Sequence, residues 1–190
     1  MEKSPLQLIG GCTKQDPGFQ KLLFEEYYVI LMKVAFRYVS TYEQALEATH
    51  SGFLRIFREC VKFRNNLKVK GKDTLSVWIR RVFIITLVDH IRAEPELHIP
   101  RSIPDDRWLS NDNLPSDTEK IHIELIKILK EIPVSPRLVF NLHVIDGFSH
   151  REIARMLDIT VKDSKRKLIN ARDYCSRSLV REKTTPNKDS

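Results

Sequence analysis

The clearest chemical signal in the sequence is a group of cationic and amide side chains near the C-terminus. The stretch Gly147–Arg172 reads as two short helices joined by a tight turn, and the second helix carries Lys and Arg on its outer face. Such side chains neutralise phosphates and hydrogen-bond to base edges, and a helix presented in this way fits the major groove of DNA. The predicted DNA contacts are Thr160, Lys162, Asp163, Lys165, Arg166, Lys167 and Asn170.

Local signals define where these two helices begin. Ser149 followed by Glu152 is a capping-box pattern, and Thr160 is an N-cap for the second helix with Asp163 in its first turn. An amphipathic hairpin with a merely solvated basic face is the alternative, because basic runs are common on protein surfaces.

Two positions depart from a usual helix-turn-helix. Asp158 occupies the turn, where Gly is expected, although Asp tolerates left-handed backbone better than most residues. Ser164 stands where an apolar residue is expected. The inward stripe of the second helix is Val161, Ser164, Leu168 and Ala171.

No constellation in the sequence indicates catalysis or a cofactor. Asp89 and His90 are adjacent, so on a helix their side chains point about 100° apart. There is no nucleophile elbow and no glycine-rich phosphate loop. The 6 histidines show no metal-ligand spacing, and the 3 cysteines are too far apart for a zinc cluster. The sequence therefore predicts a binding protein without a cofactor or metal, and not an enzyme.

The net positive charge favours a polyanionic partner, and the 3 widely spaced cysteines favour a reducing compartment. The 190 residues carry a net charge of +7 with 42% hydrophobic residues, enough for real cores. No signal peptide is visible, and the longest apolar run is far below the ~20 residues of a membrane span. We expect a cytoplasmic protein without membrane insertion.

The elements upstream are all predicted to be helices. Asp16-Pro17 is a helix start. The apolar stripe that follows is Phe19, Leu22, Leu23, Ile30, Leu31, Val34 and Tyr38. Thr41 with Gln44 begins a second helix. Its buried face is Ala45, Thr49, Phe53, Ile56 and Cys60, and its outer face is Glu43, Glu47, His50 and Leu54.

The remaining segments complete a chain of two helical modules. A loop over 64–72 precedes a helix over about 74–92, which is apolar nearly all round and so must be covered on more than one side. Residues 94–116 are acidic and proline-rich, which is typical of a flexible linker. Helices follow at about 118–131 and from Ser135-Pro136, and a polar tail begins at Lys183.

Taken in order, these motifs resemble a group IV (extracytoplasmic-function) sigma factor of bacterial RNA polymerase, of the Bacteroidetes-like kind. The runs that carry the resemblance are IGGCTKQDPGFQKLLFEEYY, AFRYV, GFLRIFREC, WIRRVFIITLVDHIR and PVSPRLVFNLHVIDGFSHREIARMLDITVKDSKRKLINAR. It implies an all-α fold of two small domains, with sigma region 2 over 1–93, a linker over 94–116, sigma region 4 over 117–182 and a tail over 183–190.

The resemblance also implies partners and roles. The expected partners are the polymerase core, through its large-subunit clamp and flap, promoter DNA, and an anti-sigma protein as a further candidate. Core contacts would be Glu43, Glu47, Thr49, His50 and Leu54. Minus-10 contacts and strand melting would involve Asn65, Asn66, Lys68, Lys70, Lys72, Trp78, Arg80 and Arg81. The basic helix over Lys162–Asn170 would enter the minus-35 major groove.

Several positions depart from the family pattern. His50-Ser51 replaces the usual Gln-Glu pair, and Ile85 replaces a common Asn on the melting helix, with Ile84 near the same side. Two alternatives therefore stay open. One is a regulator that uses the helix-turn-helix alone. The other is a polymerase-binding adaptor with weak initiation activity, docked through the apolar helix at Leu87 or Ile91.

Overall fold

The computed structural model describes residues 4–39, 41–66, 73–93, 128–129 and 131–184. The chain divides into two compact units, Met1–Pro95 and Glu96–Ser190. Within the described ranges every regular element is a helix and there is no strand, so the predicted all-α class is confirmed. The predicted domain limits stay predictions, because the linker and the start of the second module lie outside these ranges.

The first unit contains four helices: α1 (Pro5–Thr13), α2 (Pro17–Ala35), α3 (Tyr42–Asn66) and α4 (Asp73–Ala93). The predicted start of α2 is confirmed, since the Asp16 carboxylate accepts from Gly18 N at 2.8 Å. The capping box before α3 is also confirmed, with Thr41 Oγ1 accepting from Gln44 N at 3.2 Å. These caps depend on residues within one turn of each other.

Helix α3 is the centre of the first unit and contacts α1, α2 and α4. All five residues of its predicted inward face are buried. The stripe predicted on α2 is partly wrong, because Leu22 and Ile30 are 41% and 50% exposed. Tyr27 and Met32 are buried instead, since the face that α2 turns toward its neighbours is rotated from the predicted one.

Helix α4 is covered by its own unit. It packs on both α2 and α3, and its buried residues include Ile84, Leu87 and Ile91. The prediction that α4 is covered on more than one side is confirmed. Two predictions for α4 are wrong, because the side chains concerned lie in the core. Ile84 is not near a DNA surface, and Leu87 and Ile91 do not form a face on which a partner docks.

The loop predicted over 64–72 is wrong for its first three residues, which are helical. Helix α3 continues to Asn66, so Asn65 and Asn66 belong to its last turn. Lys68, Lys70 and Lys72 lie outside the described residues, and so do the side chains of Asn65 and Asn66. Among the helices that are described, none combines the length and apolar character needed to cross a membrane.

The second unit contains α5 (Val134–Phe140), a π-helical segment (Asn141–Ile145), α6 (His150–Leu157) and α7 (Val161–Thr184). Helix α7 packs against α5 and α6. The start predicted at Ser135-Pro136 is wrong by one residue, because α5 begins at Val134 with Pro133 as a cap that makes no side-chain hydrogen bond. Helix α7 extends to Thr184, so Lys183 belongs to this helix, and residues 185–190 lie outside the described residues.

Candidate nucleic-acid interface

The predicted helix-turn-helix is formed by α6 and α7. The capping box at its start is confirmed: Ser149 Oγ accepts from Glu152 N at 3.3 Å, and Ser149 N donates to Glu152 Oε2 at 2.8 Å. Asp158 closes α6 in the left-handed region, with φ 54° and ψ 50°. The turn thus keeps the geometry that Gly would usually supply, using a residue that tolerates it.

The first turn of α7 is held by a small polar network. Thr160 Oγ1 accepts from Asp163 N at 3.0 Å and donates to Asp163 Oδ2 at 2.7 Å. Arg166 Nη2 pairs with Asp163 Oδ1 at 2.8 Å. The hydrogen bond from Thr160, followed by the nearby Arg166, lowers the pKa of the Asp163 carboxyl. Asp163 therefore orients the guanidinium of Arg166 at the start of this helix. It does not bind a phosphate, because its own negative charge would repel one.

The predicted contact residues of α7 lie mostly on an open face. Lys162, Lys165, Arg166 and Asn170 are exposed, at spacings that place them along one side of the helix. Lys167 is half-buried, and its Nζ donates to Ser135 Oγ of α5 at 2.6 Å. The structure therefore ties the Lys167 ammonium to the neighbouring helix.

An apolar side chain on this basic face was missed at the sequence level. Ile169 is 58% exposed and lies seven residues after Lys162 and four after Lys165, on the same side of α7. An apolar side chain in a major groove contacts a thymine methyl group. Its position within the basic spacing pattern is the signal that could have identified it.

The inward side of α7 agrees only partly with the predicted stripe. Ser164, Leu168 and Ala171 are buried, but Val161 is 39% exposed, so its assignment to the inward stripe is wrong. Val161 is the first residue of the helix and lines an open groove beside the turn, together with Ile159 of the turn and Arg155 of α6. The contact between α6 and α7 starts one turn later.

Ser164 has a specific partner that the sequence did not reveal. Its Oγ lies 2.9 Å from Nδ1 of His150, the first residue of α6. The His150 ring also stacks on His143, with centroids 4.2 Å apart and planes inclined by 22°. In the sequence these two histidines showed no metal-ligand spacing, and no other pattern linked them.

In the first unit, most of the predicted polymerase-binding residues share one exposed face of α3. Glu43, Glu47, His50 and Leu54 are all exposed, with Leu54 at 60%. Thr49 is the exception, since it is fully buried and its Oγ1 donates to Met32 Sδ at 3.2 Å. Its assignment to the polymerase contacts is therefore wrong, because Thr49 belongs to the opposite, inward face.

Three of the predicted melting residues, Trp78, Arg80 and Arg81, lie in the described part of α4. Trp78 is half-buried and stacks on Phe63 of α3. Arg80 and Arg81 are also half-buried on α4. The described residues thus bring Trp78 next to the end of α3, and they contain no group of three or more His, Cys, Asp or Glu arranged to hold a metal.

Comparisons with known proteins place these features in a family context. Residues 122–175, which include the helix-turn-helix, match the family model described as Sigma-70, region 4. Over 186 residues the chain is 20% identical to a protein named RNA polymerase sigma-H factor from Pseudomonas aeruginosa, covering 91% of this chain and 92% of that relative. A solved structure of CnrH in complex with the cytosolic domain of CnrY is 16% identical, with a TM-score of 0.49 over 93% of this chain and 97% of that one.

Proposed function

We propose that this chain is a bacterial RNA polymerase sigma factor, which binds core polymerase and directs promoter-specific transcription initiation. The observation that carries the proposal is the helix-turn-helix of α6 and α7: its outer face over Lys162–Asn170 is exposed and basic, and these residues lie inside the range that matches Sigma-70, region 4. The similarity to the relative named RNA polymerase sigma-H factor, which covers 91% of the chain, supports this function beyond the helix-turn-helix. Such a factor acts by binding and carries out no chemistry of its own.

The finer assignment rests on the sequence resemblance. We infer a group IV, extracytoplasmic-function factor of the Bacteroidetes-like kind, with region 2 over 1–93, a linker over 94–116 and region 4 over 117–182. The factor works in the bacterial cytoplasm, where the polymerase is found. An anti-sigma protein is a candidate partner on the same ground.

The proposed minus-35 contact is made by α7. Lys162, Lys165 and Arg166 are exposed on one side and supply the phosphate-neutralising charge, while Asn170 supplies an amide for base edges. Thr160 and Asp163 act at the start of the helix by orienting Arg166. Lys167 reaches DNA only if its hydrogen bond to Ser135 breaks, so its contribution is the smallest of the basic residues.

The proposed polymerase contact is made by the outer face of α3. Leu54 projects an apolar side chain between exposed polar residues, with Glu43, Glu47 and His50 toward the N-terminus of the helix. Single exposed apolar residues are normal on protein surfaces, so the assignment of this face rests on the sequence resemblance, and Leu54 is its apolar contact. Because no enzyme reaction is involved, the interface itself is the functional site of this unit.

The proposed minus-10 surface lies at the junction of α3 and α4. Trp78 presents a half-buried indole there, and Arg80 and Arg81 follow on α4. Aromatic and cationic groups together bind unpaired bases by stacking and by charge. Asn65, Asn66, Lys68, Lys70 and Lys72 are proposed to act with them on sequence grounds alone.

Reconstitution with purified core polymerase tests the proposal. We expect the chain to bind core and to produce transcripts from a promoter that core alone does not use. Lys165→Ala should reduce promoter-specific transcription without reducing core binding, and Leu54→Asp should reduce both. Failure to bind core would overturn the proposal.

A gel shift with free protein separates the two alternatives. If the chain binds a specific duplex tightly without polymerase and does not bind core, it is a helix-turn-helix regulator. If it binds core and yields no promoter-specific transcripts, it is an adaptor.

A further inference from the structure

Two histidines and a serine meet beneath the proposed recognition helix α7. His143 of the π-helical segment stacks on His150 of α6 at a centroid distance of 4.2 Å. His150 Nδ1 lies 2.9 Å from Ser164 Oγ on α7. A single imidazole therefore connects the segment that precedes the helix-turn-helix with the helix proposed to enter the DNA groove.

Each ring has a defined attachment. His143 Nδ1 lies 2.8 Å from the carbonyl oxygen of Phe148, and a carbonyl can only accept, so this nitrogen carries a proton. Ser164 is fully buried in the inward stripe of α7. A buried hydroxyl needs a partner, and His150 provides it. Ser164 thus forms a directional hydrogen bond that joins α7 to α6. An apolar side chain at this position would only pack against α6.

The surroundings of His150 disfavour its protonation. Burial lowers the pKa of His150, and the nearby His143, Lys165 and Arg172 lower it further. His150 is also the first residue of α6, where the helix dipole opposes a positive charge. The carboxylate in that turn, Glu152, is already held by the capping box.

We propose that His150 is a positioning residue for α7, and that protonation of His150 loosens this helix and weakens DNA binding by the second unit. A cationic His150 would lie near the positive charges of Lys165 and Arg172 on α7 and be repelled by them. The inference rests on the proposed role of α7 in promoter binding.

The direction in which DNA binding changes with pH distinguishes a His150 that positions α7 from a His150 that contacts DNA at the surface. A histidine whose pKa is lowered by folding stabilises the fold above its unfolded pKa, about 6.5, and that contribution is lost as the pH falls through the lower folded pKa. Binding should therefore weaken on acidification. A surface histidine near DNA would strengthen binding instead, because it adds a positive charge.

NMR of the full chain tests the positioning role without DNA. We expect the His150 ring to titrate below the usual range and the amide signals of Ser164 and its neighbours on α7 to shift with the same midpoint. His143→Asn, which keeps a side-chain donor for the Phe148 carbonyl and removes the imidazole stacked on His150, should raise the His150 midpoint. An ordinary His150 midpoint, or α7 signals that do not follow it, would overturn the proposal, whether or not the chain is a sigma factor.

Promoter binding by the holoenzyme tests the consequence. Between about pH 7.5 and pH 5.5, wild-type affinity should fall several-fold more than that of His150→Asn, which keeps a polar atom near the Nδ1 position and does not titrate. His150→Ala should bind weakly at both pH values, and Asn should rescue it at the higher one. Equal losses in wild type and His150→Asn would contradict the proposal, while absence of any promoter binding at the higher pH would instead count against the proposed function.

Discussion

The indole of Trp78 stacks on the phenyl ring of Phe63, with ring centroids 4.4 Å apart and planes inclined by 23°. This contact joins the last turns of α3 to the first turns of α4. The two helix ends flank residues 67–72, to which the basic loop residues belong. This aromatic pair therefore contributes to the placement of the proposed minus-10 surface.

Two substitutions of Trp78 should show how much the stacking on Phe63 contributes to the free energy of unfolding. We expect Trp78→Ala to lower the free energy of unfolding by about 2–3 kcal/mol, because it loses both the stacking and the apolar contact of a half-buried side chain. Trp78→Phe retains a ring opposite Phe63 and should lose about 1 kcal/mol or less. Urea unfolding followed by circular dichroism measures both values, and equal losses for the two variants would contradict a role for stacking.

The contact between α3 and α4 also depends on a glycine. A Cβ on Gly52 would clash with Cδ2 of Phe83, whose ring is fully buried, so the ring or the helix must shift. Gly52→Ala should therefore destabilise the protein by about 1–3 kcal/mol. This loss is opposite in sign to the gain of roughly 0.5–1 kcal/mol expected when Gly is replaced by Ala inside a helix.

Gly10 of α1 provides the matched control, because a Cβ there would have no atom within 4 Å. Gly10→Ala should raise the midpoint of thermal unfolding, while Gly52→Ala should lower it. A stabilised Gly52→Ala variant would show that Phe83 can repack.

The outer and inward faces of α3 should respond differently in polymerase binding. Leu54 is 60% exposed, so Leu54→Asp should leave the free energy of unfolding within about 0.5 kcal/mol of wild type. We expect its affinity for core polymerase to fall about tenfold or more, which corresponds to about 1.4 kcal/mol. Biolayer interferometry with immobilised core gives this ratio.

Thr49→Val is the control for that experiment, since the buried Thr49 cannot reach a partner. Its core affinity should equal that of wild type, even if the lost hydrogen bond to Met32 changes stability slightly. A selective loss of core binding in Thr49→Val would restore Thr49 to the interface.

Two neighbouring lysines of α7 should differ in their effect on DNA binding. Lys165 is exposed, so Lys165→Ala should reduce the slope of log affinity against log salt by about 0.9, the value for one phosphate contact. Lys167→Ala should change the slope less, because its Nζ is bound to Ser135 Oγ. Promoter binding by the holoenzyme across a salt series measures both, with Lys21→Ala of the first unit as an exposed control far from α7 in sequence. Equal slope changes for the two α7 variants would show that Lys167 leaves Ser135 on binding.

Much of this fold was predictable because its signals are local. The capping groups Ser149, Asp16 and Thr41 act within three residues of their partners, so residue type and spacing were sufficient to predict where helices begin. The inward face of α3 followed from a clear helical period of apolar residues. The basic face of α7 followed from spacing in the same way.

Other features were decided only by the tertiary structure, because they depend on contacts between residues far apart in the chain. Thr49 fitted both faces of α3 in the sequence, and the position of Met32 on α2 placed it inside. Leu22 and Ile30 match an apolar stripe, yet the angle at which α2 meets its neighbours leaves them exposed. Ser164 looked like a flaw in the recognition helix until packing placed His150 beside it. The sequence by itself determined where α2, α3 and α6 begin and which face of α7 carries charge, since these depend on neighbouring residues. Only the tertiary structure determined which side chains those faces meet.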